Sequence, residues 1–143
     1  MIRIVSPGKT RNPHIRAIEE ELVSRISRFH KIQLIYPEVR AKGDPRRVMA
    51  EEEKIMRKHL RGMVVVLDVK GKMMDTEEFA RWLEKNLHRE PVFVIGGPWG
   101  ISENLRRDAD FVLSLSPMTF SHEMVRIMLL EQIYRAFFPT FNK

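Results

Sequence analysis

Short apolar runs alternate with helical patterns along the whole chain, and this alternation restricts the fold more than any other feature. The runs are rich in β-branched and aliphatic residues, and each is predicted to be a strand: Ile2–Val5, Ile32–Tyr36, Met63–Leu67, Pro91–Ile95 and Phe111–Leu115. Between them, apolar residues recur at the spacing of one helix face. Strands that alternate with helices predict an α/β fold, an open and mostly parallel sheet with helices on both faces.

Capping residues mark where the predicted helices begin. Asn12 and Asp44 each stand directly before a proline, which is tolerated in the first turn of a helix. Asp75 opens the third helix, and Ser121 is the expected N-cap of the last one. The predicted helices cover about residues 13–30, 46–59, 75–87, 102–107 and 121–138.

The formal charge of +6 lies wholly in the first half of the chain. Residues 1–61 hold 15 Lys and Arg against 8 Asp and Glu, whereas residues 62–143 hold 10 against 11. A basic field attracts polyanions such as nucleic acids, since each neutralised phosphate releases counterions. The same charges could instead form the solvated surface of a charge-rich protein. The length predicts one domain, 1–143, with a basic half (1–61) and a near-neutral half (62–143).

The chain has no cysteine, which excludes disulfides, thiolate metal sites and a cysteine nucleophile. This composition fits a cytoplasmic protein. Four of the histidines, at positions 14, 30, 59 and 88, show no metal-ligand spacing, so no metal site is expected. No apolar run reaches the roughly 18 residues of a membrane span, so no membrane segment is expected.

The last predicted helix is apolar on every side. Apolar residues occupy most positions from Met124 to Phe138 and surround the helix axis. A helix of this kind is buried all round. One face would pack on the sheet and another on a second copy of the protein, because C2 dimers are the commonest closed arrangement. The pattern predicts a homodimer through this helix, with a helix enclosed in a single subunit as the alternative.

Three segments are predicted to lie where ligands bind in parallel sheets, beyond the carboxyl ends of the strands. They are Leu67–Lys72, Gly96–Gly100 and Leu115–His122, and each follows an apolar strand. In the last of them, Ser116–Thr119 is predicted to be an extended loop that offers backbone amides and carbonyls.

Two of these segments have more than one interpretation. The glycines of Gly96–Gly100 let a ligand approach the backbone, although a purely structural turn fits them equally well. The turn also lacks the sequence of a phosphate-binding loop. Asp68 could cap a turn, bind a ribose hydroxyl, or pair with Lys70 or Lys72.

His122 and Arg126 are four residues apart and therefore share one face of the last helix. A histidine and an arginine together, next to a ligand-binding loop, would suit an anionic or nucleic-acid substrate. The alternative for His122 is a solvated or capping side chain at the helix start.

At these segments the sequence resembles a known family. The motifs that carry the resemblance are, in chain order, Ile2-x-x-Val-x-x-Gly-Lys9, Leu67-Asp-x-x-Gly-Lys72, Ile95-Gly-Gly-Pro-x-Gly100, Leu115-Ser-x-Met-Thr-x-x-His122-x-x-x-Arg126 and Leu130-Glu-Gln-x-Tyr-Arg-Ala136. In order and spacing they resemble the ribosomal large-subunit pseudouridine N3-methyltransferase family (RlmH), of the SPOUT class. The resemblance covers essentially the whole chain.

The resemblance implies a fold and a cofactor. The C-terminal part would thread into a trefoil knot, and the knot would bind S-adenosylmethionine in a bent form. Similar proteins hold this cofactor mostly through backbone groups. The matching residues of this chain lie in the half spanning 62–143, which would therefore be the cofactor-binding half. The cofactor-binding residues implied here are Leu67, Gly96, Gly97, Gly100, Leu115, Ser116, Pro117, Met118, Thr119 and Phe120.

The resemblance also implies a reaction and its partners. A homodimer would methylate N3 of a pseudouridine in 23S rRNA, on the assembled ribosome. By residue type and position, His122 is the candidate general base, and Arg126 would orient rRNA phosphate or stabilise negative charge on the base. Two alternatives stay open: a SPOUT methyltransferase that acts on another RNA such as tRNA, and a basic RNA-binding protein that kept the fold without activity.

The C-terminal tail departs from the family pattern. Similar proteins usually end in Pro-Tyr-His, near the active site, whereas this chain ends Phe137-Phe-Pro-Thr-Phe-Asn-Lys143. Phe141 could take the aromatic place, but the hydroxyl group is lost. Any role that the tail has in the family is therefore open for this chain.

Overall fold

Parallel strands and helices alternate throughout residues 1–138, the part of the chain that the computed structural model describes. The strands are β1 (Ile2–Val5), β2 (Ile32–Ile35), β3 (Met63–Met73), β4 (Pro91–Val94) and β5 (Phe111–Ser114). The helices are α1 (Pro13–Ile26), α2 (Pro45–Arg57), α3 (Thr76–Asn86), α4 (Glu103–Asp108) and α5 (His122–Phe137). A short 3₁₀ helix, Leu87–Arg89, follows α3.

The strands form a parallel sheet in the order β2-β1-β4-β3-β5. Successive side chains of a strand point to opposite faces, so the sheet builds two cores. Ile4 and Phe93 belong to the core that α1, α3 and α5 cover, whereas Val5 and Val94 belong to the core under α2 and α4. The predicted α/β fold with helices on both faces is confirmed. The trefoil knot stays a prediction from the resemblance.

Side-chain caps hold the helix starts as the sequence predicts. Each cap residue accepts a hydrogen bond from a backbone N–H in the first turn of its helix, and the caps are Asn12, Asp44, Asp75 and Ser121. Asp75 and Glu78 form a reciprocal capping box, in which each side chain accepts from the other residue's backbone N–H. The Ser121 cap fixes where α5 begins, and with it the position of His122.

Two element boundaries differ from the prediction by more than two residues. Helix α1 ends at Ile26 instead of continuing to His30, because the chain tightens there into i→i+3 bonds such as Phe29 N–H to Ile26 O. Strand β3 runs on to Met73 instead of ending at Leu67. Leu67 and Lys72 both pair with Leu113, so residues 68–71 form a bulge within the strand rather than a loop after it.

Helix α5 is anchored on the sheet by one face. Leu129, Leu130 and Ile133 are fully buried in the same core as Phe93. Burial of each such side chain contributes about 1.5–3 kcal/mol of stability. Met124, in the first turn of α5, remains 39% exposed. The helix is therefore not enclosed on every side within one subunit.

Candidate active site

A cavity of about 310 Å³ lies at the bulge of β3 and beyond the carboxyl ends of β4 and β5. We call it the strand-end cavity, and it is lined by Leu67, Asp68, Val69, Ile95, Gly96, Pro98, Trp99, Gly100, Ile101, Leu115, Ser116, Met118, Thr119, Phe120, His122 and Val125. The three segments selected from the sequence thus come together around one space. Its volume falls in the range of about 300–1,000 Å³ that is usual for ligand pockets.

Most of the predicted cofactor-binding residues line this cavity. They are Leu67, Gly96, Gly100, Leu115, Ser116, Met118, Thr119 and Phe120. Gly97 and Pro117 do not line it. The Cα of Gly97 faces the carboxylate of Glu52 on the other side of the turn. Sequence reasoning missed Trp99 and Val125, since an exposed indole and a helix residue give no binding signal of their own.

The glycine turn is closed so tightly that it has no room for a side chain at its start. A Cβ on Gly96 would lie 2.5 Å from the carbonyl carbon of Gly100. Gly100 has φ +84° and donates its N–H to the oxygen of Gly97 at 3.0 Å. The structural interpretation of these glycines therefore holds, and the tight turn is also one wall of the cavity, while ligand binding by them stays a prediction.

The Ser116–Thr119 loop is fastened to the bulge of β3. Ser114 Oγ lies 3.1 Å from the oxygen of Val69 and 3.0 Å from that of Ser116. Ser116 Oγ accepts the N–H of Met118 at 3.0 Å. The loop bends at Leu115, Pro117 and Met118 instead of running extended as predicted, and the side chain of Met118 stays 69% exposed.

Asp68 is an anchor between β3 and α4. Its Oδ2 accepts from Nη1 of Arg106 at 3.0 Å, and its Oδ1 accepts the N–H of Lys70 at 2.9 Å. Of the alternatives that the sequence left open, the turn cap is present. The ion pair is formed with Arg106 instead of Lys70 or Lys72.

His122 is the first residue of α5 and is half-buried. Burial lowers its pKa below the ordinary value of 6.5, and the positive charges of Arg126 and Arg11 lower it further, against an opposing effect of Glu123. The imidazole is therefore neutral at pH 7 and able to accept a proton.

A second cavity, of about 470 Å³, adjoins the first, and His122, Pro98 and Trp99 line both. We call it the basic cavity. Its other lining residues come from the loop after β1, the loop before α2, α2 itself and the start of α5: Pro7, Gly8, Lys9, Arg11, Val39, Ala41, Lys42, Gly43, Val48, Glu52 and Glu123. Lys9, Arg11 and Lys42 bring positive charge to it. The excess of Lys and Arg in the first half of the sequence indicated a polyanionic partner. It could not show which of these cations lie together in the fold.

Two side chains of α5 hold the loop after β1 in place. Glu123 accepts the N–H of Arg11 at 2.8 Å and that of Asn12 at 3.3 Å. The N–H of Arg11 is the main cause that lowers the pKa of Glu123, so this carboxylate is ionised at neutral pH. The loop is therefore held against the helix that carries His122.

Arg126 is the second of these side chains, and it is 0% exposed. Nε and Nη2 donate to Ser6 Oγ at 3.1 and 2.9 Å, and Nη1 donates to Thr10 Oγ1 at 3.0 Å. Nη2 also donates to the carbonyl oxygens of Pro7 and Gly8. This placement differs from the predicted contact with rRNA phosphate, because every nitrogen of the guanidinium is used inside the protein. The helical spacing put Arg126 next to His122 correctly but could not show that the loop covers it.

The described residues contain no cluster of His, Cys, Asp and Glu side chains that could hold a metal ion. Across residues 1–138, no helix has the length and apolar character needed to cross a bilayer.

Comparison with known sequences identifies the class of protein. The sequence profile of the family described as "Predicted SPOUT methyltransferase" matches residues 1–140. The chain belongs to this family of SPOUT methyltransferases. Enzymes of this class take their methyl group from S-adenosylmethionine.

Individual relatives narrow the class. The chain is 36% identical over 140 residues to ribosomal RNA large subunit methyltransferase H of Dictyoglomus thermophilum, which covers 94% of this chain and 92% of the relative. It is 41% identical over 145 residues to the protein of the same name from Geotalea daltonii, with 95% and 92% covered. Both relatives are named for the family that the motifs resemble.

Solved structures support the fold. A probable methylase family protein from Haemophilus influenzae superposes with a TM-score of 0.60 at 14% identity, over 99% of this chain and 68% of that one. The tRNA (m1G37) methyltransferase of Aquifex aeolicus superposes with a TM-score of 0.56 at 18% identity, over 94% and 69%. At these identities the likeness concerns the fold alone.

Gly96→Ala is predicted to weaken the binding of S-adenosylmethionine. The added Cβ forces the glycine turn to open and displaces a wall of the strand-end cavity, so we expect the dissociation constant from calorimetry to rise at least about tenfold, which equals 1.4 kcal/mol. Gly43→Ala is the control for backbone strain: an alanine is strained at φ +97°, but nothing lies within 4 Å of the new Cβ and Gly43 is outside this cavity, so cofactor affinity should stay unchanged. Equal affinities for Gly96→Ala and the wild type would contradict the assignment.

Arg126→Lys is predicted to lower the free energy of unfolding by about 2–4 kcal/mol, because an ammonium group cannot replace the forked guanidinium and leaves buried acceptors unpaired. Urea denaturation measures the change. Arg40→Lys is the control: Arg40 is exposed and pairs with Glu38 at the surface, where such pairs contribute at most about 1 kcal/mol. Similar losses in the two variants would show that the buried network adds nothing.

Proposed function

We propose that this chain transfers a methyl group from S-adenosylmethionine to N3 of a pseudouridine in 23S rRNA, on the ribosome. The observation that carries the proposal is the junction of two cavities at His122. One cavity suits a small cofactor of little net charge and the other is basic, so a methyl donor and an RNA base would meet at a neutral imidazole. Membership of the family and the names of the relatives support the same reaction.

The strand-end cavity fits S-adenosylmethionine in its chemistry as well as its volume. Leu67, Ile95 and Leu115 offer apolar surface for an adenine ring, while the glycine turn and the Ser116–Thr119 loop bring backbone groups to the wall. A ligand of little net charge needs such backbone partners more than it needs cations. We propose that these segments hold the cofactor, with the residues that line the cavity as its contacts.

The bound cofactor supplies an electrophilic methyl group on a sulfonium. Transfer forms a bond between the methyl carbon and N3 of the base, and breaks the bond between that carbon and sulfur. N3 must give up its proton, and we propose that His122 accepts it, because the neutral imidazole lines both cavities. The protein otherwise acts by positioning, which supplies much of the rate of such a displacement.

Arg126 enters this proposal as a positioning residue. Its guanidinium fixes the loop that carries Lys9 and Arg11, which line the basic cavity. Its charge also lowers the pKa of His122 and so keeps the imidazole neutral. Both effects act through other residues and need no contact with RNA.

The basic cavity continues into a groove with further cations, and we propose that this surface receives the RNA backbone. The groove is lined by Gly8, Lys9, Arg11, Arg16, Tyr36, Glu38, Val39, Arg40 and Lys42. Phosphate contacts position a nucleic acid without reading its sequence. They would hold the target stem-loop while a single base enters the basic cavity.

We further propose that the chain acts as a homodimer through α5. Three apolar side chains next to the strand-end cavity are exposed, Met118 by 69% and Phe120 and Met124 by 39% each. Exposed apolar patches of this kind mark interaction sites. A second copy would cover them and double the basic field that meets the ribosome. The cytoplasmic location and the single domain 1–143 stay predictions, and Phe141 lies outside the described residues.

Loss of the gene is predicted to remove one methyl group from a pseudouridine of 23S rRNA, which mass spectrometry of the rRNA detects. The wild-type protein restores the modification, whereas with purified His122→Ala the methylation rate on ribosomes falls about 10²–10⁴-fold, the usual contribution of a general base. Binding of S-adenosylmethionine by the variant stays unchanged. An exposed histidine, His88, provides the control variant His88→Ala.

The pH dependence separates the base from a merely structural His122. Activity that needs the neutral imidazole rises with pH through the pKa of His122, and burial places that pKa below 6.5. The acid limb of the wild-type rate should therefore have its midpoint below pH 6.5 and be absent from the residual rate of His122→Ala. A limb that persists in the variant belongs to another group.

Met124→Glu is predicted to convert the dimer to a monomer, because it places a charge within the apolar surface that the partner would cover. Light scattering after size-exclusion chromatography measures the mass. Met73→Glu is the control, since Met73 is 59% exposed at the end of β3 and is not part of α5. A wild-type protein that elutes as a monomer would refute the dimer directly.

A further inference from the structure

Glu52 on α2 is a buried carboxylate that the proposed mechanism does not use. Its side chain belongs to a residue that is only 5% exposed, and it lines the basic cavity. One side of the carboxylate faces the glycine turn, where the N–H of Gly97 donates to it. Oε1 is buried and, among the described residues, has no hydrogen-bond partner.

An unpaired oxygen of this kind is unfavourable for folding. A buried polar atom that loses its hydrogen bonds to water needs a partner in the protein, and the great majority of such atoms have one. Burial also raises the pKa of Glu52, which shows that the ionised form is not well compensated. The carboxylate of Glu52 is thus a hydrogen-bond acceptor that lacks a partner at the wall of the basic cavity. A hydrogen-bond donor of a ligand would provide that partner.

The groups around the same cavity indicate the kind of donor. Trp99 is 55% exposed at the junction of the two cavities and offers a flat aromatic face, on which an unstacked RNA base can lie. His122 lies on the helix across from α2 and lines the same space. A base placed there would have one ring nitrogen near His122 and another edge toward Glu52.

The two nitrogens of pseudouridine match such a pair of groups. Its ring is joined to ribose through C5, so both N3 and N1 carry hydrogen, on either side of the C2 carbonyl. In uridine N1 forms the glycosidic bond and has no hydrogen to donate. A hydrogen-bond acceptor that faces N1 therefore distinguishes the two bases, because only pseudouridine can donate a hydrogen bond from N1.

We propose that Glu52 accepts a hydrogen bond from N1–H of the target pseudouridine and so selects this base over uridine. The proposal rests on the proposed function, because it assumes that N3 of the base is presented to His122. In this proposal Glu52 discriminates between the two bases and takes no part in the transfer of the methyl group. The cations of the cavity, Lys9, Arg11 and Lys42, hold the RNA backbone and read neither nitrogen.

The test compares two ribosome preparations, one with pseudouridine at the target position and one from a strain that lacks the corresponding pseudouridine synthase and carries uridine there. Methyl transfer from S-adenosylmethionine gives kcat/KM for each. We expect the wild type to prefer pseudouridine and Glu52→Ala to lose at least about tenfold of that preference, because a site built around a buried polar group rejects the analogue that lacks its partner. Glu52→Gln keeps an acceptor oxygen and should retain more of the preference than Glu52→Ala.

Glu51→Ala is the matched control, since Glu51 is the neighbouring carboxylate on α2 and does not line the basic cavity. It should keep the wild-type ratio. Calorimetry with S-adenosylmethionine checks that each variant is folded and binds the cofactor. If Glu52→Ala, or Glu52→Gln where the alanine variant does not fold, lowers both rates equally and leaves the ratio unchanged, Glu52 is structural and the proposal is overturned.

Failure of the proposed function gives a different result. In that case the wild type itself methylates neither ribosome preparation, or mass spectrometry finds the new methyl group on another nucleotide. Either outcome removes the pseudouridine substrate and, with it, the role of Glu52. If the wild type methylates the pseudouridine with the same kcat/KM as uridine, only the proposal for Glu52 is overturned, and the proposed function stands.

Discussion

A single buried cation, Arg126, connects the parts of the site that the chain brings from its two ends. Its guanidinium binds Ser6, Pro7, Gly8 and Thr10, so the loop after β1 is fixed against the first turns of α5. That loop supplies Lys9 and Arg11 to the basic cavity, and α5 supplies His122 to both cavities. The alignment of the strand-end cavity with the basic cavity therefore depends on contacts that span about 120 residues of sequence.

Burying this cation opposes folding unless its surroundings compensate, and they do so in two ways. The guanidinium lies over the ring of Tyr36, with Cζ 3.9 Å from the ring centroid. The hydroxyl of Tyr36 in turn donates to the carboxylate of Glu19 at 2.6 Å, which places a negative charge behind the aromatic ring. Buried ionic groups often add little net stability, so the main effect of this network is to specify one position for the loop.

Sequence patterns predicted the parts of this structure that depend on local periodicity. The strand positions and caps such as Asp75 follow from residues close together in the chain, and the three ligand segments follow from the strand ends. The bulge at residues 68–71 depends on the register with β5, which no local pattern contains. The burial of Arg126 depends on a distant loop, and Glu52 lies in a run of three glutamates that is typical of a solvated helix face.

The basic half and the near-neutral half of the sequence contribute to different cavities, and these two cavities meet at His122. The first half contributes Lys9, Arg11 and Lys42 to one side, while the second half builds a cavity of apolar and backbone groups on the other. An RNA substrate needs both environments, because its backbone carries the charge whereas the reacting base is neutral. If the base loses a proton only when it lies between them, the cations also favour the anion that forms, since they act over the few ångströms of a partly desolvated cavity. In the proposed reaction Lys9, Arg11 and Lys42 would then serve the methyl transfer as well as the binding of RNA.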